Sequence, residues 1–222
     1  MEKEKIDRLD EVNRRIRELS SGRLAERRIE VGDQAVVGEG PSTAKMMVIG
    51  EAPGAAEAKT GRPFVGRAGR VLDGMLASIG LNKEQIYVTN IIKDRPPGNR
   101  DPRAAEIRRY QPFLEQEITI VQPEIIVSLG RFAMRFLLNR YDLPSRGKKI
   151  SDLQGEVFRV DEAYGGVLWI PLYHPAAVLY NPDLKKQLEE GFQMVGEQYG
   201  RGEESSPDQQ AAAGSAEGGL TT

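Results

Sequence analysis

Glu51, Phe64, Asn90, Asn99 and His174 carry the functional groups from which this chain could assemble a chemical site. Each stands in or beside a turn-rich segment: Gly50-Glu51-Ala52-Pro53-Gly54, Gly61-Arg62-Pro63-Phe64-Val65-Gly66, Arg95-Pro96-Pro97-Gly98-Asn99-Arg100, or Tyr173-His174-Pro175. Glycine, at Gly50 for instance, lets a ligand come close to the backbone. A phenylalanine in such a loop suits stacking on a flat base, and it serves equally as a loop anchor in the core. An asparagine amide sets an acceptor beside a donor. It matches a base edge that offers N–H next to a carbonyl and refuses the reversed edge, although asparagine at a strand end also serves as a turn or cap. A single imidazole donates near neutral pH, and a carboxylate orders water. The chemistry within reach is the holding of a planar heterocycle and the stabilisation of charge developing on it.

Composition removes several alternatives. The chain has no cysteine and one histidine, which excludes disulfides, thiolate nucleophiles, cysteine-ligated metals and multi-histidine metal sites. No metal and no cofactor is expected. A formal net charge of −2 over 222 residues means that any grip on nucleic acid is local rather than a property of the whole surface. The first residues are charged, and no apolar run approaches the ~18 residues of a membrane span. A soluble, cytoplasmic monomer with no membrane partner is expected.

The elements that must position these groups follow from periodicity. Short apolar runs at 46–49, 86–89, 125–129 and 167–170 read as buried parallel strands. Helical patterns lie between them at 68–79, at 102–121 with Asp101 as N-cap, and at 131–138. This alternation predicts an α/β fold, a three-layer α/β/α sandwich around a central, mainly parallel four-stranded sheet, with ligands bound beyond the carboxyl ends of the strands. Residues 156–160 are a candidate outer strand and 182–199 a closing helix. Ile6, Leu9, Val12, Ile16 and Leu19 form the stripe of an amphipathic N-terminal helix. One domain is expected over 1–200, followed by a disordered tail at 201–222, where the text lacks apolar periodicity.

Taken together, segments 50–54 and 61–69, the spacing from Asn90 to Asn99 through Arg95-Pro96-Pro97, and His174-Pro175-Ala176 resemble the family 4 uracil-DNA glycosylases. The similarity runs from about 23 to 186. It implies a monofunctional DNA repair enzyme that flips uracil from single- or double-stranded DNA and hydrolyses the bond to deoxyribose. On this resemblance Phe64 stacks on the flipped uracil with Gly50 at the same pocket, Asn90 reads its edge, and His174 faces O2. Glu51 and Asn99 border the attacking water, and Glu57 crowds the C5 position and rejects thymine.

Two departures accompany the resemblance. The family holds a 4Fe-4S cluster with four cysteines, whose positions here fall on Leu19, Gly22, Asp94 and Tyr110. The aspartate that commonly follows the residue matching Glu57 is Ala58. Ala52 stands where some other glycosylase families keep a carboxylate, so help with the water falls to Glu51 or Asn99. Arg67, Lys93, Arg95, Arg100, Arg131 and Lys185 are candidates for phosphate contact. Val178 or Leu179 is a candidate wedge for the space the base vacates, or the first core residue of the closing helix. Two other functions fit the same residues: a DNA-binding protein that recognises uracil or damage without cleaving, and a glycosylase for another deaminated base such as hypoxanthine.

Overall fold

The computed structural model describes residues 1–204. In chain order it contains α1 (Glu2–Glu18), α2 (Arg23–Val31), β1 (Met46–Gly50), α3 (Ala55–Thr60), α4 (Arg67–Ser78), β2 (Tyr87–Asn90), α5 (Ala104–Val121) and β3 (Ile125–Leu129). These are followed by α6 (Arg131–Arg140), α7 (Ile150–Leu153), β4 (Phe158–Glu162), β5 (Gly165–Leu172), α8 (Pro175–Tyr180) and α9 (Leu184–Glu204).

The sheet order is β2-β1-β3-β5-β4. The four strands read from apolar runs pair in parallel, and they are buried on both faces because helices cover both sides. Alternate residues of β1 separate the two cores: Met47 and Ile49 pack with α1, α5 and α6, Met46 and Val48 with α4 and α9. The layers are therefore helix, sheet, helix. The outer edge of β2 is partly closed by Glu39, whose backbone exchanges hydrogen bonds with Val88.

Several expectations are corrected. The sheet has five strands rather than four, because β4 forms a hairpin with β5, running from Phe158 opposite Trp169 to Glu162 opposite Gly165. Only Val160 of β4 is buried, which is why its signal at 156–160 was short and displaced. The N-cap of α5 is Arg103, not Asp101: Glu106 folds back to accept from the Arg103 N–H at 2.8 Å, while Asp101 turns outward to Arg131. Leu9, Val12 and Ile16 are buried on α1 as the stripe requires, but Ile6 is 45% exposed at its outer end. The closing helix expected at 182–199 is α9, which runs on to Glu204, into the segment expected to be tail, and a separate short helix, α8, precedes it. The remainder of that tail, 205–222, lies outside the described residues.

Candidate active site

All four parallel strands end on one rim, and β1 sits where the chain's crossovers diverge to β2 on one side and β3 on the other, the position at which open α/β sheets bind ligands. A cavity of about 520 Å³ opens there, lined by Glu51, Glu57, Phe64, Asn90, Asn99 and His174 among others. The six come from separate stretches of the chain, and the fold brings them together around one cavity.

Phe64 is held in a left-handed backbone conformation, φ 50°, which bulky residues avoid unless their surroundings enforce it. Its carbonyl accepts from Lys83 Nζ at 2.8 Å, which anchors the loop. The ring lies 5.9 Å from the His174 ring at an interplanar angle of 23°. Gly50 makes this possible. A Cβ there would stand 2.5 Å from Phe64 Cζ and would overlap Asn90 Oδ1. Asn90 is 3% exposed, yet among the described residues its amide has no hydrogen-bond partner. A buried amide open to a cavity has donor and acceptor available for a ligand edge.

His174 is the N-cap of α8, and its Nδ1 accepts from the Ala176 N–H at 3.1 Å. The proton of the neutral ring therefore resides on Nε2. Desolvation lowers the imidazole pKa to about 4, with the charge of Glu57 opposing the shift. His174 is thus a neutral donor across the physiological range. The unfolded imidazole takes up its proton below about 6.5, whereas the folded one resists until about 4, so stability present above pH ~6.5 is lost as pH falls through that window.

Glu51 reaches across to the start of α6, where one carboxylate oxygen accepts from the Phe132 N–H at 2.9 Å. Gly130, with φ 93°, leaves room for it; a Cβ would overlap Glu51 Oε1. Burial pushes the Glu51 carboxyl above the usual carboxylate range, against the opposing backbone N–H of Phe132 and the charge of Arg131. The rate of the chemical step should therefore have an acid limb inflecting above the ordinary glutamate value of about 4.3, and no inflection near 6.5. A pH series of single-turnover rates checks this, and a break at 6.5 that vanishes in His174→Gln would contradict a neutral imidazole.

The remaining predicted residues divide clearly. Glu57 is buried and accepts from the Gly66 N–H at 2.8 Å, tying α3 to the loop that carries Phe64. Asn99 has φ 53°, and its Oδ1 accepts from Arg95 Nε at 2.8 Å, so Arg95 orients the amide as well as facing solvent. Arg67 is exposed at the cavity mouth and forms no ion pair among the described residues. Arg100 pairs with Glu106 at 2.5 Å, Arg131 with Asp101 at 2.5 Å, and Lys185 with Glu189 at 3.5 Å. Lys93 is a correction. It is fully buried, with Nζ 2.6 Å from Glu117, and does not reach the surface, because the irregular segment that follows β2 turns inward despite its run of charged neighbours.

Val178 takes the core position that was one of its two open readings, packing against the core shared with α4 and α9, whereas Leu179 lines the cavity. Tyr180, 86% exposed at the same mouth, has no counterpart among the sequence-based candidates. Its only signal is position, one residue past Leu179.

The four positions matching cluster cysteines do not fit an iron-sulfur cluster. None bears a thiol, and the Arg28 guanidinium lies among them, donating to the Leu19 carbonyl and facing Asp94 at 3.3 Å, while the Tyr110 hydroxyl donates to Asp94. A Cβ at Gly22 would stand 2.6 Å from Arg109 Nε.

Fold and cavity together define an α/β protein with a ligand-sized cavity beyond the carboxyl ends of its parallel strands. Residues 37–193 match the family described as the Uracil DNA glycosylase superfamily. The type-4 uracil-DNA glycosylase of Archaeoglobus fulgidus is 44% identical over 166 residues, covering 75% of this chain and 82% of the relative. That of Sulfurisphaera tokodaii is 43% identical over 164 residues (73% and 74%), and that of Thermotoga maritima 40% over 146 residues (66% and 72%). The chain belongs to the uracil DNA glycosylase superfamily and, within it, to the type-4 uracil-DNA glycosylases.

Proposed function

We propose that this chain removes uracil from DNA by hydrolysing its N-glycosidic bond, and that it does so as a type-4 enzyme without the iron-sulfur cluster. The observation that carries the reading is the slot made by the Phe64 ring, the bare Gly50 backbone and the unpartnered Asn90 amide. Its flat wall accepts a planar ring, and its amide offers an acceptor for N3–H and a donor for O4, a pairing that cytosine reverses.

An extruded nucleotide would bring the uracil O2 toward His174 Nε2–H. As the N1–C1′ bond breaks, its electron pair goes to the uracil ring and negative charge grows on O2. A preorganised neutral donor stabilises this charge without itself giving up a proton. C1′ gains oxocarbenium character and is taken by a water that Glu51 and Asn99 border. The water oxygen bonds to C1′, its proton leaves through Glu51 or solvent, and uracil departs as an anion that solvent protonates. Glu57, fixed by the Gly66 N–H, fits the task of crowding C5 against a thymine methyl. Exposed Arg67, with Arg100 and Arg131 exchanging their carboxylate partners for phosphate, supplies the local phosphate grip that the net charge does not.

The test is to incubate the pure protein with oligonucleotides containing uracil, hypoxanthine or no lesion, then cleave abasic sites with alkali. Strand breaks confined to uracil support the proposal; none at uracil would end it. Phe64→Ala and Asn90→Ala should each slow release, since stacking on an aromatic is worth ~1–3 kcal/mol per base. Free uracil should inhibit the unaltered protein more strongly than either variant, and equal inhibition of all three would show that the slot is not the base site.

A further inference from the structure

The two amides of the site, Asn90 and Asn99, are joined by one short stretch of chain, and its middle residues face inward. Lys93 and Asp94 are almost wholly buried, and α5 holds both: Glu117 takes Lys93, and Tyr110 donates to Asp94. Tyr110 and Glu117 lie two helical turns apart on one face of α5, so a single rigid element grips consecutive residues. Asp94 also faces Arg28 Nε at 3.3 Å, and the same guanidinium donates to the carbonyls of Leu19 and, at 3.5 Å, Ile16 at the end of α1. Three helices therefore meet at one carboxylate. The next residue, Arg95, orients the Asn99 amide through a 2.8 Å hydrogen bond.

We propose that Arg28, Asp94 and Tyr110 form a positioning network that sets the Asn99 amide beside the cavity, acting through Arg95, while leaving the Phe64–Asn90 slot to its own supports. Two of the three stand at positions that the family resemblance assigns to cysteines, so the network does with a guanidinium, a carboxylate and a phenol what those positions cannot do with metal. The inference rests on the glycosylase reading. It assigns Arg28, a residue outside every turn-rich loop, a part in the reaction.

The experiment is a double-mutant cycle read by single-turnover uracil release, with free-uracil inhibition and thermal melting measured alongside. Tyr110→Phe removes one hydroxyl and keeps the ring, and Arg28→Lys keeps the charge while losing the fork that spans Asp94 and the α1 carbonyls. Each is expected to slow release by about tenfold to a hundredfold, the scale of a misplaced group. Inhibition by free uracil should be unchanged, because the slot stays intact. In an Asn99→Ala background the further loss from Tyr110→Phe should vanish, since the network acts through that amide. Additive losses, or uracil inhibition weakening in step with the rate, would overturn the proposal in favour of general support of the fold. Unchanged release by both single variants would also overturn it. If the unaltered protein releases no uracil, the functional reading fails instead, and the two failures are told apart by that control.

Discussion

Replacing His174 with alanine is expected to slow the chemical step by about a hundredfold or more, the usual scale for removing a transition-state donor, while DNA affinity stays nearly unchanged. The argument rests on protonation and geometry together. Because Nδ1 is occupied by the Ala176 N–H, the ring has one donor left, Nε2–H, and the depressed pKa keeps that donor neutral. A neutral donor placed at O2 contributes little to the ground state, in which the carbonyl carries only partial charge, and much to the transition state, in which it becomes an oxyanion. The loss should therefore fall on the rate at saturating enzyme and not on binding. His174→Gln, which retains a donor of different reach, should lie between the two. Single-turnover kinetics with a uracil oligonucleotide, beside equilibrium binding to a non-cleavable analogue, measures both quantities. An unaltered rate in His174→Ala would remove the imidazole from the reaction, and a parallel loss of affinity would make it a binding group.

The rim of the site was legible because strand ends and turn residues are punctuated in the text. Four apolar runs each ended in a glycine, asparagine or proline segment, and parallel strands bring such ends to one side whatever lies between them. What escaped was partnership across long separations. Nothing local to Lys93 says that Glu117 waits for it on α5, and nothing near Arg28 points to Asp94, so the sequence presents the first cation as a phosphate contact and gives the second no role. Charged residues next to prolines look solvated, and only the fold reveals that the chain after β2 turns inward before it reaches Pro96. The hairpin strand β4 was blurred for a related reason: with only Val160 buried, it has almost no alternation to detect.

The buried pair also carries the largest expected effect on stability. Lys93 and Glu117 are both 0% exposed, joined at 2.6 Å, and the Thr89 hydroxyl donates to the same carboxylate at 2.9 Å. Removing one partner leaves the other charge in a medium that cannot solvate it, so Glu117→Ala should destabilise the protein by about 3–5 kcal/mol, seen as a drop in the denaturant midpoint. The loss should come from the stranded ammonium rather than from a missing attraction, because the desolvation of two charges offsets most of what their pairing returns. Replacing both, Lys93→Met with Glu117→Leu, should accordingly recover most of the stability, and a double variant as unstable as Glu117→Ala would refute that division. The same double variant decides whether Lys93 meets DNA. A cation that neutralises a phosphate contributes to the slope of log affinity against log salt, so Arg67→Ala should flatten that slope by about one contact, whereas Lys93→Met with Glu117→Leu should leave it as it is. A flattened slope in the double variant would mean that the segment between Asn90 and Asn99 turns outward on DNA.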